Sequence, residues 1–274
     1  MTAFRLPPGA TDCHSHVVGP PDQWPTIPDK RYEPEQGPFP AYIESLAELG
    51  IARCVLVQPS IYGTDNGCQL EAMRALGPTR ARGVAVVEKT VTDAALRQLH
   101  DAGMRGLRFN LKSGGLGLEA LEPIARKIAP LGWHIQLFTA APVIAEIAPR
   151  LRTLPVPLVF DHMGGPDIAA GLSQPGFAAL LGLLRDGNAW VKLSGAERLS
   201  AQPDGYDDVV PFAKALIAAA PQRVVWGLDW PPSRFFKVKP QPSDWIAQLR
   251  KYAADAAILE RILVANPADL YQFA

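Results

Sequence analysis

At 274 residues, 48% of them hydrophobic, the chain can bury a large core and matches the size of one α/β barrel, a fold of roughly 250 residues. Lys and Arg number 27, as do Asp and Glu, so no charge excess points to nucleic acid or an anionic membrane surface. The three cysteines, Cys13, Cys54 and Cys68, are odd in number and lack metal-type spacing, which fits free thiols in a reducing compartment. The opening MTAFRLPPGATD lacks the apolar stretch of a signal peptide, and no apolar run is long enough to span a bilayer. The expectation is a cytoplasmic protein without nucleic-acid or membrane partners.

Short apolar runs alternate with longer amphipathic ones along the chain. Strands are predicted at Thr11–Val18, Arg53–Gln58, Gly83–Val87, Gly106–Asn110, His134–Thr139, Leu158–Asp161, Trp190–Ser194 and Val224–Asp229. Helices are predicted at Ala41–Leu49, Cys68–Leu76, Asp93–Ala102, Leu118–Ala129, Pro142–Leu151, Gly176–Arg185, Asp207–Ala219 and Ser243–Ala253, with Glu260–Ala274 closing the fold. Strands alternating with helices imply a parallel sheet, and eight such units imply a single-domain (β/α)8 TIM barrel spanning residues 1–274. An open doubly wound sheet is the alternative, weakened because no Gly-x-Gly-x-x-Gly follows the first strand. The proline-rich stretch Pro20–Pro40 is too long for a simple connection and reads as an active-site loop.

Barrels of this kind carry their chemistry at the C-terminal ends of strands. Strand one bears Asp12, His14 and His16. Side chains two apart on a strand share a side, so the two imidazoles converge as needed to hold a metal or polarise an oxygen. Strand two ends in Gln58-Pro59-Ser60, strand four in Arg108-Phe109-Asn110, and strand six in Asp161-His162 before Met163-Gly164-Gly165. Strand seven ends in Lys192-Leu193-Ser194-Gly195 with Arg198 shortly after, and strand eight in Asp229-Trp230-Pro231. Each has a plainer reading, as an exposed loop pair, a loop start or a helix cap. Together they place three imidazoles, one carboxylate and two guanidinium groups at one barrel mouth.

The set DCHSHV, GLRFN, FDHMGG, VKLSG and VVWGLDWPPS resembles the amidohydrolase superfamily, and most closely its branch typified by 2-pyrone-4,6-dicarboxylate lactonase. The resemblance implies roles for single positions. His14 and His16 correspond to the strand-one pair, His162 to the strand-six histidine, and Asp229 to the strand-eight aspartate that deprotonates the attacking water. Arg108 and Arg198 match arginines that bind substrate carboxylate, Ser60 and Tyr32 match hydroxyl contacts, and Asn110 completes the RFN motif. That lactonase carries a further arginine shortly after RFN, where this chain reads Lys112-Ser113-Gly114-Gly115. Strand five ends Leu137-Phe138-Thr139, where many metal-dependent relatives carry lysine or histidine, and this argues against a two-metal site. The implied substrate is a small anionic lactone.

Residue chemistry leads the same way. Ester cleavage needs a nucleophilic water, a base and oxyanion stabilisation. Asp229 can serve as base, and His14, His16 and His162 can stabilise the oxyanion. With Asp229, those histidines could instead hold one divalent metal, zinc first. No Gly-x-Ser-x-Gly elbow is present, which removes a serine hydrolase. A lactone isomerase for sugar acids, a metal-dependent decarboxylase and a catalytically dead sugar-acid binder are the alternatives, and a homo-oligomer stays open. His134, near the barrel's bottom, reads as a core residue. His100 reads as a surface residue. Trp230 is expected beside the pocket, and backbone amides of the KSGGLG stretch are expected to suit an anion.

Overall fold

The structure is a computed structural model in which residues 5–112, 114–232 and 240–273 are described. Eight strands form one sheet: β1 Thr11–Ser15, β2 Arg53–Val57, β3 Ala81–Ala85, β4 Met104–Asn110, β5 His134–Phe138, β6 Leu158–Phe160, β7 Ala189–Leu193 and β8 Val224–Trp226. Consecutive strands pair in parallel from β1 to β8. The two ends of the sheet meet just past their ladders, where Ser15 bridges Trp230. Asp229 N donates to His14 O at 2.8 Å and His16 N to Trp230 O at 2.7 Å. Only glycine fits at position 227, because a Cβ there would lie 2.6 Å from the backbone nitrogen of His14. The result is a (β/α)8 TIM barrel.

Amphipathic periodicity makes the helices, whose apolar faces cover the outside of the barrel. Helix Leu121–Ile128 buries Leu121, Ile124, Ala125 and Ile128, one face of a 3.6-residue repeat. A separate apolar cluster of Cys13, Val55, Val57, Val84, Val159, Trp190 and Val225 sits with Tyr271. These residues alternate along their strands with those of the outer core, so they fill the lumen. The C-terminal residues are clamped there: Arg82 donates to Tyr271 O and Gln272 O, and Arg53 and Arg82 both lie over the Phe273 ring. No helix among the described residues is long and apolar enough to cross a membrane.

Seven of the eight predicted strands end earlier than expected, β1 and β8 by three residues. The ladder of β8 stops at Trp226, because Asp229 takes a left-handed φ of 57° and turns the chain out of the strand. β1 stops at Ser15, after a register shift between Asp12 and Ser15. The predicted helix Leu118–Ala129 divides into a 3-10 turn Leu118–Ala120, the α-helix Leu121–Ile128 and a second turn Ala129–Leu131 that contains Pro130.

Candidate active site

The ends of β1, β6 and β8 bring four of the predicted residues into contact. The His14 ring lies 5.1 Å from that of His16 and 4.8 Å from that of His162. Asp229 Oδ1 is 3.7 Å from His14 Nε2 and 3.8 Å from His16 Nε2. His16 Nδ1 donates to the carbonyl of Val57 at 2.7 Å, so its Nε2 carries a lone pair. His162 Nδ1 meets Ser194 Oγ at 2.9 Å. Both Asp229 and His162, with φ of 57° and 48°, occupy the left-handed region. That conformation costs each about 1–2 kcal/mol and persists only because surrounding contacts enforce it.

Asp12, buried just before the histidine pair, supplies part of that enforcement. Its Oδ1 accepts from His14 N at 3.1 Å and Leu228 N at 2.9 Å, and its Oδ2 accepts from Tyr42 OH at 2.6 Å and from Ser15 Oγ. One carboxylate thus ties the backbone of His14 to the residue preceding Asp229.

The electrostatics favour a neutral histidine cluster around an ionised aspartate. Burial pushes Asp229 upward, but the fixed positive charge of Arg198 outweighs it and holds the carboxyl below the usual carboxylate range. Arg198 Nε donates to Asp229 Oδ2 at 2.5 Å. Burial lowers His14 and His162, and it pushes His16 down to about 3.

Among the described residues, His14 Nε2 and Asp229 Oδ1 are both buried without a hydrogen-bond partner. With His16 Nε2 they form a cluster whose ligand atoms all lie within 4.8 Å of one another. Any group seated there must satisfy nitrogen and oxygen acceptors, as a water molecule or a divalent cation does. Two imidazoles and a carboxylate are a donor set that zinc accepts. The residues therefore fit one such ion. A second cluster, His14, Asp161 and His162, shares His14. There Asp161 faces Nδ1 of His14 at 3.2 Å and is already neighboured by Lys192 and Arg108, so its charge is compensated by protein cations.

Above the cluster opens a cavity of about 320 Å³. His16, His162, Ser60, Tyr32, Asn110, Arg108 and Arg198 line it, together with Lys112, Phe138 and Pro231. The long loop after β1 contributes Tyr32, Glu33, Pro34 and Glu35, which places it over the barrel mouth. Arg108 lies 5.3 Å and Lys112 Nζ 5.0 Å from the centre of the Phe138 ring. Three cations thus reach one cavity. Arg108 also donates to Gln58 O at 3.2 Å and to Asp161 Oδ2 at 3.4 Å, so it has a structural task as well.

Several expectations need correction. Trp230 does not line the cavity; it packs against Tyr42 with ring centres 5.0 Å apart, and Pro231 takes its place. His100 is more than a surface residue, because its Nδ1 accepts the indole N–H of Trp133 at 2.9 Å. His134 is buried as expected. In the KSGGLG stretch, Ser113 lies outside the described residues, as does Ser233 at the end of the strand-eight motif. Sequence reasoning gave no role to Asp161, Lys192 or Gln136, which interact directly below His14. The available signal was a polar residue at alternate positions of the apolar strands HIQLF and AWVKL.

Comparison with known proteins identifies the family. The amidohydrolase family model matches residues 11–273. A 2-pyrone-4,6-dicarboxylate hydrolase of Comamonas testosteroni is 37% identical over 280 residues, covering 98% of this chain and 92% of the relative. A 4-sulfomuconolactone hydrolase of Hydrogenophaga intermedia is 37% identical over 278 residues, covering 98% and 90%. Among solved structures, a probable 2-pyrone-4,6-dicarboxylic acid hydrolase from Acinetobacter baumannii with citric acid bound superposes with a TM-score of 0.86. Its sequence identity is 28%, with 97% of this chain and 100% of that one covered. By its motifs, its barrel and these matches along nearly its whole length, the chain belongs to the amidohydrolase family.

Proposed function

We propose that the protein is a lactonase that opens the ring of a small anionic lactone by attack of a base-activated water. The observation that carries this reading is the vertical order of the site. Arg108, Lys112 and Arg198 reach a cavity whose floor holds an ionised aspartate amid neutral histidines. Guanidinium groups suit carboxylate or sulfonate oxygens, which would anchor the substrate with its ring carbonyl toward the floor. The lactone hydrolases among its relatives, one named for a dicarboxylate and one for a sulfonate, support an anionic substrate.

In the reaction, Asp229 Oδ1 takes a proton from the water as its oxygen bonds to the lactone carbonyl carbon. With the Ser194 hydroxyl, 2.9 Å away, donating to Nδ1, the His162 Nε2–H would stabilise the tetrahedral oxyanion. Collapse of the intermediate breaks the bond to the ring oxygen, and Asp229 returns the proton to that leaving oxygen. The product is a ring-opened acid, which releases one proton at neutral pH. A single divalent ion on His14, His16 and Asp229, with His162 adjacent, would supply polarisation of the carbonyl or a more acidic water.

A screen of carboxylated, sulfonated and uncharged lactones with a pH indicator, with and without chelator, tests the proposal. Acid release from anionic lactones is expected. Ligand binding with no acid release from any lactone would instead favour an isomerase or a binding protein.

A further inference from the structure

Asp229 faces one ring nitrogen of His14, and the other faces a buried polar layer of which only Arg108 lines the cavity. Within the lumen, β4 contributes Arg108, β5 Gln136 and β7 Lys192, and Asp161 follows β6; each is buried. Asp161 Oδ2 accepts from Gln136 Nε2 at 3.1 Å and from Arg108 at 3.4 Å. Gln136 Oε1 accepts from Lys192 Nζ at 2.7 Å. An ammonium group only donates and a carboxylate only accepts, so these contacts fix the orientation of the Gln136 amide. Asp161 is thereby held through Oδ2, and its Oδ1 is presented to His14 Nδ1 at 3.2 Å.

Two tautomers of neutral His14 compete for this arrangement. With the proton on Nδ1, the ring donates to Asp161 Oδ1 and directs the Nε2 lone pair toward Asp229. With the proton on Nε2, Nδ1 would accept from Lys192 Nζ at 3.3 Å. The second arrangement sets a lone pair 3.2 Å from Asp161 Oδ1, a buried carboxylate oxygen that no donor among the described residues otherwise satisfies. The first leaves Lys192 its bond to Gln136 and a position 3.6 Å from the carboxylate. Nor does the second gain a bond at the far nitrogen, because 3.7 Å to Asp229 Oδ1 exceeds hydrogen-bond range.

We propose that Asp161, held by Gln136 and Lys192, is a positioning residue that keeps His14 in its Nδ1–H tautomer and aims the Nε2 lone pair at the floor of the cavity. Its catalytic consequence rests on the lactonase reading above: that lone pair helps orient the water whose proton passes to Asp229. A carboxylate behind an imidazole is a general means of fixing tautomer and ring orientation. Asp161→Asn should reverse it. The asparagine carbonyl would take the donors Gln136 Nε2 and Arg108, leaving its NH2 toward His14 Nδ1, which must then accept.

The test is nitrogen-15 NMR of histidine-labelled protein in chelator, with the His14 signals assigned through His14→Gln. The native protein is expected to carry the His14 proton on Nδ1, and Asp161→Asn is expected to carry it on Nε2. Turnover of the variant should fall about 10- to 100-fold with little change in KM. A native His14 with its proton on Nε2, or a folded Asp161→Asn protein with an unchanged tautomer, overturns the proposal. Should the variant not fold, the native spectrum decides alone. The spectrum involves no substrate, so an Nδ1–H tautomer in a protein that hydrolyses no lactone would contradict the functional reading and leave the positioning role standing.

Discussion

The guanidinium of Arg198 lies on the carboxylate of Asp229, with Nε 2.5 Å from Oδ2. The other carboxylate oxygen faces His14 and His16. One oxygen thus pairs with a fixed cation and the other faces the two imidazoles. Because Arg198 also lines the cavity, the residue expected to clamp substrate is the one that orients the proposed base.

Replacement of the base separates chemistry from binding. Asp229→Asn keeps the shape and removes the proton acceptor. Turnover should fall roughly a hundredfold or more, the scale of general base catalysis, with a modest change in KM. Steady-state kinetics measure this, and near-normal turnover would remove Asp229 from the role of base.

The two arginines should behave differently. Arg108→Met and Arg198→Met should each weaken binding of an anionic lactone by about 2–5 kcal/mol, the range for truncating a buried charged pair. Arg198→Met should also lower kcat on uncharged lactones, because Asp229 loses the partner that orients it. Arg108→Met should leave kcat on uncharged lactones nearly unchanged but lower the melting temperature, since it strips donors from Gln58 O and Asp161. Equal losses on charged and uncharged substrates for both variants would refute the clamp.

The pH dependence of stability should report His134. Burial pushes this histidine down to about 3, whereas an unfolded histidine titrates near 6.5. Between those values the unfolded chain binds the proton and the folded chain does not, so stability falls as pH drops below about 6.5. The contribution lost by pH 5 is about 2 kcal/mol. Denaturant melts at pH 7 and pH 5 should show a smaller difference for His134→Leu than for the native protein, and an identical difference would contradict the burial argument.

Catalysis should be flat over the same range. His14, His16 and His162 are all depressed, and Asp229 is held below the carboxylate range. In chelator, kcat should therefore show no acid limb near pH 6.5, as stopped-flow or steady-state profiles can establish. A limb there would mean that one imidazole is protonated in the working enzyme.

Tyr42→Phe removes one of the donors to the Asp12 carboxylate that joins strands one and eight. A hydrogen bond to a charged acceptor contributes about 1.5–3 kcal/mol, and denaturation should register that loss. Kinetics should shift in kcat more than in KM, since Asp12 also holds the residue preceding Asp229.

Much of this was legible in the sequence, for a physical reason. Parallel strands buried on both faces read as short apolar runs, so all eight were found and several of their polar ends became site candidates. His14, His16, His162, Arg108, Arg198 and Asp229 stood out because they break that apolar pattern where a barrel collects its chemistry. The lumen layer did not stand out. Gln136 and Lys192 sit inside strands, and only the sheet register shows that they meet Asp161. The left-handed turn at Asp229 was equally hidden, because no glycine or asparagine marks it. Lys112 was noticed as a missing arginine, and its place in the cavity as a third cation needed coordinates.

Metal content bears on which groups polarise the carbonyl. Elemental analysis of active protein should find at most one divalent ion per chain, since the Asp161 side is compensated by Lys192 and Arg108. Two ions, both required for turnover, would contradict the single-cluster account.

The central claim is that water adds across a lactone carbonyl in this cavity. The most direct measurement is turnover of 2-pyrone-4,6-dicarboxylate or a sulfonated muconolactone in oxygen-18 water, followed by mass spectrometry of the product. The account predicts a ring-opened acid carrying one solvent oxygen, formed roughly a hundredfold or more slowly by Asp229→Asn. A product without solvent oxygen, or labelling that persists in Asp229→Asn at the native rate, would contradict it.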